Sequence, residues 1–334
     1  MTIFYRPLLP ALLCMLALDA CDSGHAIQEM AAMPGQAVPT RALNPDAALV
    51  GRLEQHVSAL ARERNTAHLE ALNQTADYIE KQLRSYGYQV DSQWYTVAGV
   101  SVRNLGVSLQ AASALVDKAP LVVVGAHYDS ARGAPGADDN ASGTAAALEL
   151  ARAFRDAPAA HAKEIRFVFF TNEEPPYFRT REMGSYRYAE QLAAQNVQVE
   201  AMLAFDMLGA YCDKKGCQRY PFPQEGIFPD RGDFIAFAGN LESGALTRKV
   251  VGIFRSQAAV PSQGISAPAG MEGIDQSDHA SFWAFGYPAL LVSDTSFFRY
   301  PHYHTRHDTL DKLDFRRMAG VVEGLAPVIR ELAK

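Results

Sequence analysis

The residues from Leu121 to Gly143 constrain this chain most. Leu-Val-Val-Val-Gly-Ala runs into His127-Tyr-Asp129-Ser, and after a Gly/Pro loop comes Gly-Ala-Asp138-Asp139-Asn140-Ala-Ser-Gly. An apolar, β-branched run without polar alternation reads as a strand buried on both faces, which requires helices above and below it. The run delivers one imidazole and three carboxylates within a single loop and then enters an alanine-rich helix. Side chains of that kind gathered at the carboxyl end of a strand read as the rim of a metal site.

The rest of the chain is of a size and composition to build that setting. With 334 residues, 48% hydrophobic and 20% charged, it is expected to bury a large core as one α/β domain. A formal net charge of -6 and the absence of any basic block or stripe give no support for nucleic acid as a partner. Residues 1–20 carry Arg6, an apolar run from Leu8 to Leu18 and then Asp19, which ends the run too soon for a membrane span. This reads as a signal peptide. Leu18 and Ala20 before Cys21 also resemble a bacterial lipoprotein processing box, so Cys21 is a candidate lipid anchor and the chain is expected to be exported, to the periplasm or cell envelope or into the medium. Residues 21–46, rich in Ala, Pro, Gly and Met, read as a flexible tether, and residues 47–334 as the folded domain. Cys212 and Cys217, with Gly216 between them, can close a short disulfide loop in an oxidising compartment; two reduced thiols are the alternative.

Apolar residues recur at helical spacing from Ala48 to Glu63 and from Ala67 to Tyr86, with Gly87 as a C-cap. Strands are expected at 89–97, 102–110, 121–126, 165–170, 199–205, 234–238 and 288–292. Helices are expected at 140–154, 185–195, 242–255, 277–285 and 315–332. Strands alternating with helices imply a mainly parallel mixed sheet with helices on both faces. In such sheets functional groups collect at the carboxyl ends of strands. His127 follows one buried strand, Glu173 and Glu174 follow another, and Asp206 ends a third. A further contribution comes from the loop Tyr300-Pro-His302-Tyr-His304-Thr-Arg-His307-Asp308. His nitrogen and carboxylate oxygen suit Zn²⁺, and two close ions need one carboxylate that bridges them.

Six motifs, in order, resemble the M28-type zinc aminopeptidases. They are His127-Tyr-Asp129-Ser, Gly136-Ala-Asp138-Asp139-Asn140-Ala-Ser-Gly143, Asn172-Glu173-Glu174, Phe205-Asp206-Met, Ser277-Asp278-His279 and His304-Thr-x-x-Asp308-Thr. The resemblance, which runs from about Leu53 to the C-terminus, implies a zinc-exopeptidase fold of the phosphorylase/hydrolase-like kind, two zinc ions per chain and peptide substrates. It implies that His127 and Asp206 hold one zinc, that Glu174 and His304 hold the other, and that Asp139 bridges them. Glu173 falls at the family's general base, a cis peptide is implied between Asp139 and Asn140, and Asp129 is expected to orient His127. Asp308 is expected to do the same near His304, Asp138 is read as structural, and His279, His302 and His307 are not promoted to ligands.

The chain departs from the family after Glu174, where Pro175-Pro-Tyr-Phe-Arg-Thr-Arg-Glu-Met183 replaces a shorter connection. Tyr177, Phe178, Arg179 and Arg181 either line a substrate pocket or cover the sheet edge. Glutaminyl cyclases share the implied fold but carry one zinc, usually have Trp before the last His ligand and lack the Asp-Asp-Asn-Ala-Ser-Gly run; Tyr303 and residues 138–143 favour a peptidase. Carboxypeptidases, dipeptidases and receptor-like proteins on inactive peptidase scaffolds are the other readings, the last expected to have lost ligands that are present here. No Gly-x-Ser-x-Gly elbow supports a serine hydrolase. Oligomeric state is left open.

Overall fold

The computed structural model describes residues 31–34, 41–111, 120–156, 161–221 and 227–334. The signal peptide and Cys21 lie outside the described residues. Among the described residues, nine strands form one sheet: β1 (Ala31–Met33), β2 (Asp91–Val97), β3 (Val100–Leu109), β4 (Leu121–His127), β5 (Glu164–Phe170), β6 (Val199–Phe205), β7 (Ile235–Gly239), β8 (Ser262–Ser266) and β9 (Ala289–Ser293). Their order across the sheet is β1-β8-β7-β9-β6-β4-β5-β3-β2. The central four, β9, β6, β4 and β5, run parallel to one another, as does the β7–β8 pair. The other pairings, β1 with β8, β7 with β9, and β3 with both β5 and β2, are antiparallel.

Every residue of β4 is buried, and alternate side chains serve opposite faces because successive Cβ atoms point to opposite sides of a strand. Leu121 and Val123 pack with Val168, Phe170 and Met202 against Ala189, Leu192 and Phe282. Those last three lie on α4 (Gly184–Ala194) and α6 (His279–Trp283). Val122, Val124 and Ala126 face the larger core. That core is built by α1 (Ala47–Leu60), α2 (Leu69–Ser85), α3 (Gly143–Asp156), α5 (Gly244–Gln257) and α7 (Phe315–Leu332). The sheet is therefore covered on both faces, as the unbroken apolar strands require.

Two strands are silent in the hydrophobic pattern. The β8 sequence Ser-Gln-Gly-Ile-Ser has one large apolar residue, and its buried hydroxyls are held by polar partners instead: Arg255 Nε donates to Ser262 Oγ at 3.2 Å and Ser266 Oγ to Thr247 Oγ1 at 3.1 Å. The β1 strand falls within the stretch expected to be a tether, and Ala31, Ala32 and Met33 pair with Ser266, Ile265 and Gly264. Residues 41–46 are also fixed to the domain, Arg41 through the Gln257 carbonyl at 2.8 Å and the Asp46 amide through Glu323 at 2.8 Å.

Between α1, α2 and α3 lies a buried polar knot. Glu149, 2% exposed, accepts from Arg52 at 2.8 Å and Arg152 at 3.2 Å and faces His56 Nε2 at 3.2 Å, while His56 Nδ1 meets the Tyr78 hydroxyl at 2.8 Å. Burial opposes the charge on Glu149, but the contacts with His56 and Arg52 hold its carboxyl below the usual range. A carboxylate with a depressed folded pKa stabilises the fold above its unfolded pKa, and that contribution is lost as pH falls through the folded pKa. Glu149→Gln is expected to cost about 2 kcal/mol at pH 7. Thermal melts of both proteins should show that gap closing below about pH 4.5, and a gap independent of pH would remove the charge from the account.

Candidate metal centre

The carboxyl ends of β4, β5 and β6 lie side by side, and each carries part of one site. His127 closes β4, Thr171-Asn172-Glu173-Glu174 follows β5, and Asp206 follows β6. The loop from Tyr300 to Asp308 brings His304 to the same edge, where its Nε2 stands 3.0 Å from Asp139 Oδ2 and 3.0 Å from Glu174 Oε2. His127 Nε2 stands 3.4 Å from Asp139 Oδ1 and 3.5 Å from Asp206 Oδ1. Two groups of converging donors result, His127 with Asp139 and Asp206, and Asp139 with Glu174 and His304. Asp139 is common to both, one oxygen turned to each.

The chemistry of this donor set fits divalent metal. His127 Nε2 and Glu174 Oε1 are buried atoms without a hydrogen-bond partner among the described residues, a condition that native structures rarely leave unexplained. The charges lead to the same conclusion. Burial, then the charge of Asp139, pushes the Glu174 carboxyl up to about 7 against the pull of His304. Burial drives the Glu173 carboxyl well above its ordinary range too, with His127 opposing and Glu174 and Asp206 adding to the rise. Burial disfavours the imidazolium of His304, yet contact with Asp139 and Glu174 raises it to about 10. The carboxylates thus hold protons on their neighbours, and divalent cations can take the place of those protons.

Backbone hydrogen bonds fix the loops that carry the ligands. The Asp129 carboxylate lies 3.5 Å from His127 Nδ1, as expected, and it also accepts from the backbone amides of Glu173 at 3.1 Å and Glu174 at 3.2 Å. Asp308 does not orient His304. Its two oxygens accept from the amides of Asp138 at 2.9 Å and Asp139 at 3.1 Å, and the Tyr300 hydroxyl donates to it at 3.0 Å. The Asp139–Asn140 peptide is cis. Asn140 links the β6 end to the helix, donating to the Phe205 carbonyl at 2.7 Å and accepting from the amides of Gly143 and Met207. A Cβ on Gly143 would lie 2.3 Å from Asn140 Oδ1 and 2.4 Å from the Phe205 carbonyl oxygen, so only glycine lets α3 start this close to β6.

The residues not promoted have other work. Asp138 accepts from the Gly209 amide at 2.9 Å, and buried His279 bonds the Ile274 carbonyl through Nε2 at 2.6 Å. His302 and His307 stack edge to face on each other. Cys212 and Cys217 form the expected disulfide.

The donors open on a cavity of about 640 Å³, its mouth included, whose other walls include Pro175, Phe178, Met207, Leu291, Phe297 and Tyr303. In the loop after Glu174, Phe178 reaches this cavity and the arginines do not line it. Arg179 pairs with Asp275 at 2.5 Å, Arg181 lies over the Tyr186 ring, and Tyr177 accepts from Thr66 Oγ1 at 3.2 Å. Of the two readings open for Phe178 the cavity favours pocket lining; the walls that sequence reasoning missed are Met207, Leu291 and Phe297, together with the placement of Tyr303, whose ring stacks on His304 at 3.7 Å. Leu291 lies on β9 and the others on connecting segments, with no shared spacing.

The model of peptidase family M28 matches residues 104–329. The chain is 35% identical over 284 residues to the uncharacterized protein YfbL of Escherichia coli, covering 82% of this chain and 85% of that one. It is 26% identical over 344 residues to leucine aminopeptidase 1 of Trichophyton equinum, covering 95% and 84%. Among solved structures, the Legionella pneumophila LapA aminopeptidase superposes with a TM-score of 0.65 at 22% identity, over 86% of this chain and 71% of that one. A Porphyromonas gingivalis glutaminyl cyclase superposes with a TM-score of 0.61 at 19% identity, over 86% and 99%. Fold, motif order and family match together identify this chain as a member of peptidase family M28.

Proposed function

We propose that the chain is an exported aminopeptidase that uses two zinc ions to remove N-terminal residues from peptides. The observation that carries this reading is Asp139, whose two oxygens face His127 on one side and His304 on the other, each with a second carboxylate to complete its group. Zinc held by these five residues would polarise the scissile carbonyl and make water acidic enough to be deprotonated near neutral pH. In this reading Glu173 takes that proton, which is supported by its lining the cavity, its 5% exposure and the 3.9 Å from its Oε2 to His127 Nε2. Its carboxyl can then return the proton to the departing amine. The hydrogen bonds that the Glu173 and Glu174 amides donate to Asp129 fix the base relative to the ligands. The walls formed by Phe178, Met207, Leu291 and Phe297 suit an apolar N-terminal side chain.

The test is metal analysis of the purified protein together with aminoacyl chromogenic substrates, with and without chelator. Two zincs per chain, release from leucyl ahead of aspartyl substrates, and loss of release on chelation are expected. The fold shared with a glutaminyl cyclase makes cyclisation of an N-terminal Gln peptide the second activity to assay. One zinc and pyroglutamate formation would replace the peptidase reading. Export is supported by the Cys212–Cys217 disulfide and by the leader-like residues before Cys21. Mass spectrometry of the N-terminus of the mature protein tests it, a chain that keeps Met1 being the contrary result.

A further inference from the structure

Arg64 belongs to no motif and carries none of the expected ligand atoms, yet it is completely buried beside the metal centre. Its guanidinium is spread over backbone carbonyls: Nε donates to Tyr128 at 2.7 Å, Nη1 to Pro135 at 2.6 Å and Arg62 at 3.1 Å, and Nη2 to Gly136 at 2.9 Å. Tyr128 adjoins His127, and Gly136 lies three residues before Asp139. One side chain thus spans the loop leaving the first histidine and the loop arriving at the bridging carboxylate. The backbone closes the same joint, with the Arg64 amide on Ser130 Oγ at 3.1 Å, the Ser130 amide on the Arg64 carbonyl at 3.0 Å and Asn65 Nδ2 on the Ser130 carbonyl at 3.2 Å. The fit is tight. A Cβ on Gly136, which sits at φ +64°, would lie 2.3 Å from the Asp139 carbonyl oxygen and 3.0 Å from Arg64 Nη1.

A buried cation is expensive, and a lysine or an apolar residue could fill the same space if packing were all that was required. What distinguishes arginine is a planar fork of fixed donors that can hold several acceptors at set separations. We propose that Arg64 is a positioning residue for the metal centre, holding the His127 loop and the Asp139 loop at the separation on which affinity for divalent metal depends. This inference rests on the zinc reading given above. The effect passes onward through Asp129, whose carboxylate ties the Tyr128–Ser130 loop to the amides of Glu173 and Glu174.

The experiment is a titration of the full-length protein with Zn²⁺ alone in a chelator-buffered series, for wild type, Arg64→Lys and Asn65→Ala, with Glu149→Gln as a variant destabilised away from the site. Arg64→Lys keeps the charge and loses the fork, so zinc is expected to bind about 10 to 100 times more weakly. Asn65→Ala, which removes the contact with the Ser130 carbonyl in the same joint along with the cap on the Ala67 amide, is expected to fall between Arg64→Lys and wild type, and it carries the test if Arg64→Lys does not fold. Glu149→Gln should melt lower and bind zinc as wild type does. Wild-type zinc affinity in Arg64→Lys, or in Asn65→Ala where that variant carries the test, overturns the inference, as does an equal loss of affinity in Glu149→Gln. A wild-type protein that binds no zinc instead overturns the metal reading itself.

Discussion

Glu173→Gln is expected to lower kcat by about a thousandfold or more while the protein still carries two zinc ions. The amide is nearly the same size as the carboxyl and cannot take a proton from water, so the change isolates the proton transfer. Metal content should survive because Glu173 belongs to neither donor group; those consist of His127, Asp139 and Asp206, and of Asp139, Glu174 and His304. The loop should also survive, since it is held through the Glu173 and Glu174 amides by Asp129 rather than through the Glu173 side chain. Steady-state kinetics with elemental analysis of the same sample gives both readings. Near-normal turnover would remove Glu173 from the role of base, and turnover lost together with zinc would make it a ligand.

Asp139→Ala should be more damaging to the centre than the loss of any other ligand. Its oxygens stand 3.4 Å from His127 Nε2 and 3.0 Å from His304 Nε2, so one substitution removes a donor from both groups and leaves the remaining carboxylates without their bridge. Zinc content is expected to fall at both positions, and activity to fall below a thousandth of wild type. Asp206→Ala, by contrast, strips one group only and should leave about one zinc bound. The rise in melting temperature on adding zinc, which follows from binding to the folded chain alone, should vanish in Asp139→Ala and persist in part in Asp206→Ala. Equal zinc content in the two variants would show that Asp139 does not bridge.

Much of this centre is legible in the residues because chemistry restricts it. A buried strand that ends on His127, a pair of glutamates after another and an aspartate after a third admit few arrangements in a parallel sheet. Strands β4, β5 and β6 are legible for a related reason, since burial on both faces writes an unbroken apolar run. What escapes is whatever depends on main-chain partners. Asp308 lies four residues from His304, which suggested a partnership, but its oxygens face the amides of Asp138 and Asp139, and no side-chain pattern reports an amide. Arg64 is hidden likewise: its four acceptors are carbonyls, which every residue has. β8 escapes because serines meeting Arg255 and Thr247 bury it without a hydrophobic signature. The walls of the cavity are assembled from Phe178, Met207, Leu291 and Phe297, residues of ordinary apolar type whose grouping exists only in space.

The short strand β1 bears on where this protein can be cut. It covers the outer edge of β8, and the segment it covers, Ser262–Ser266, contains no charged residue and no proline, the features by which natural sheets discourage other chains from pairing there. A recombinant version begun at Ala47, where the helical pattern starts, would keep both donor groups and Glu173 and lose this cover. Its bare rim would then invite a second molecule to add its own strand, so the segment Ala31–Met33 should not be treated as dispensable when the protein is prepared for study.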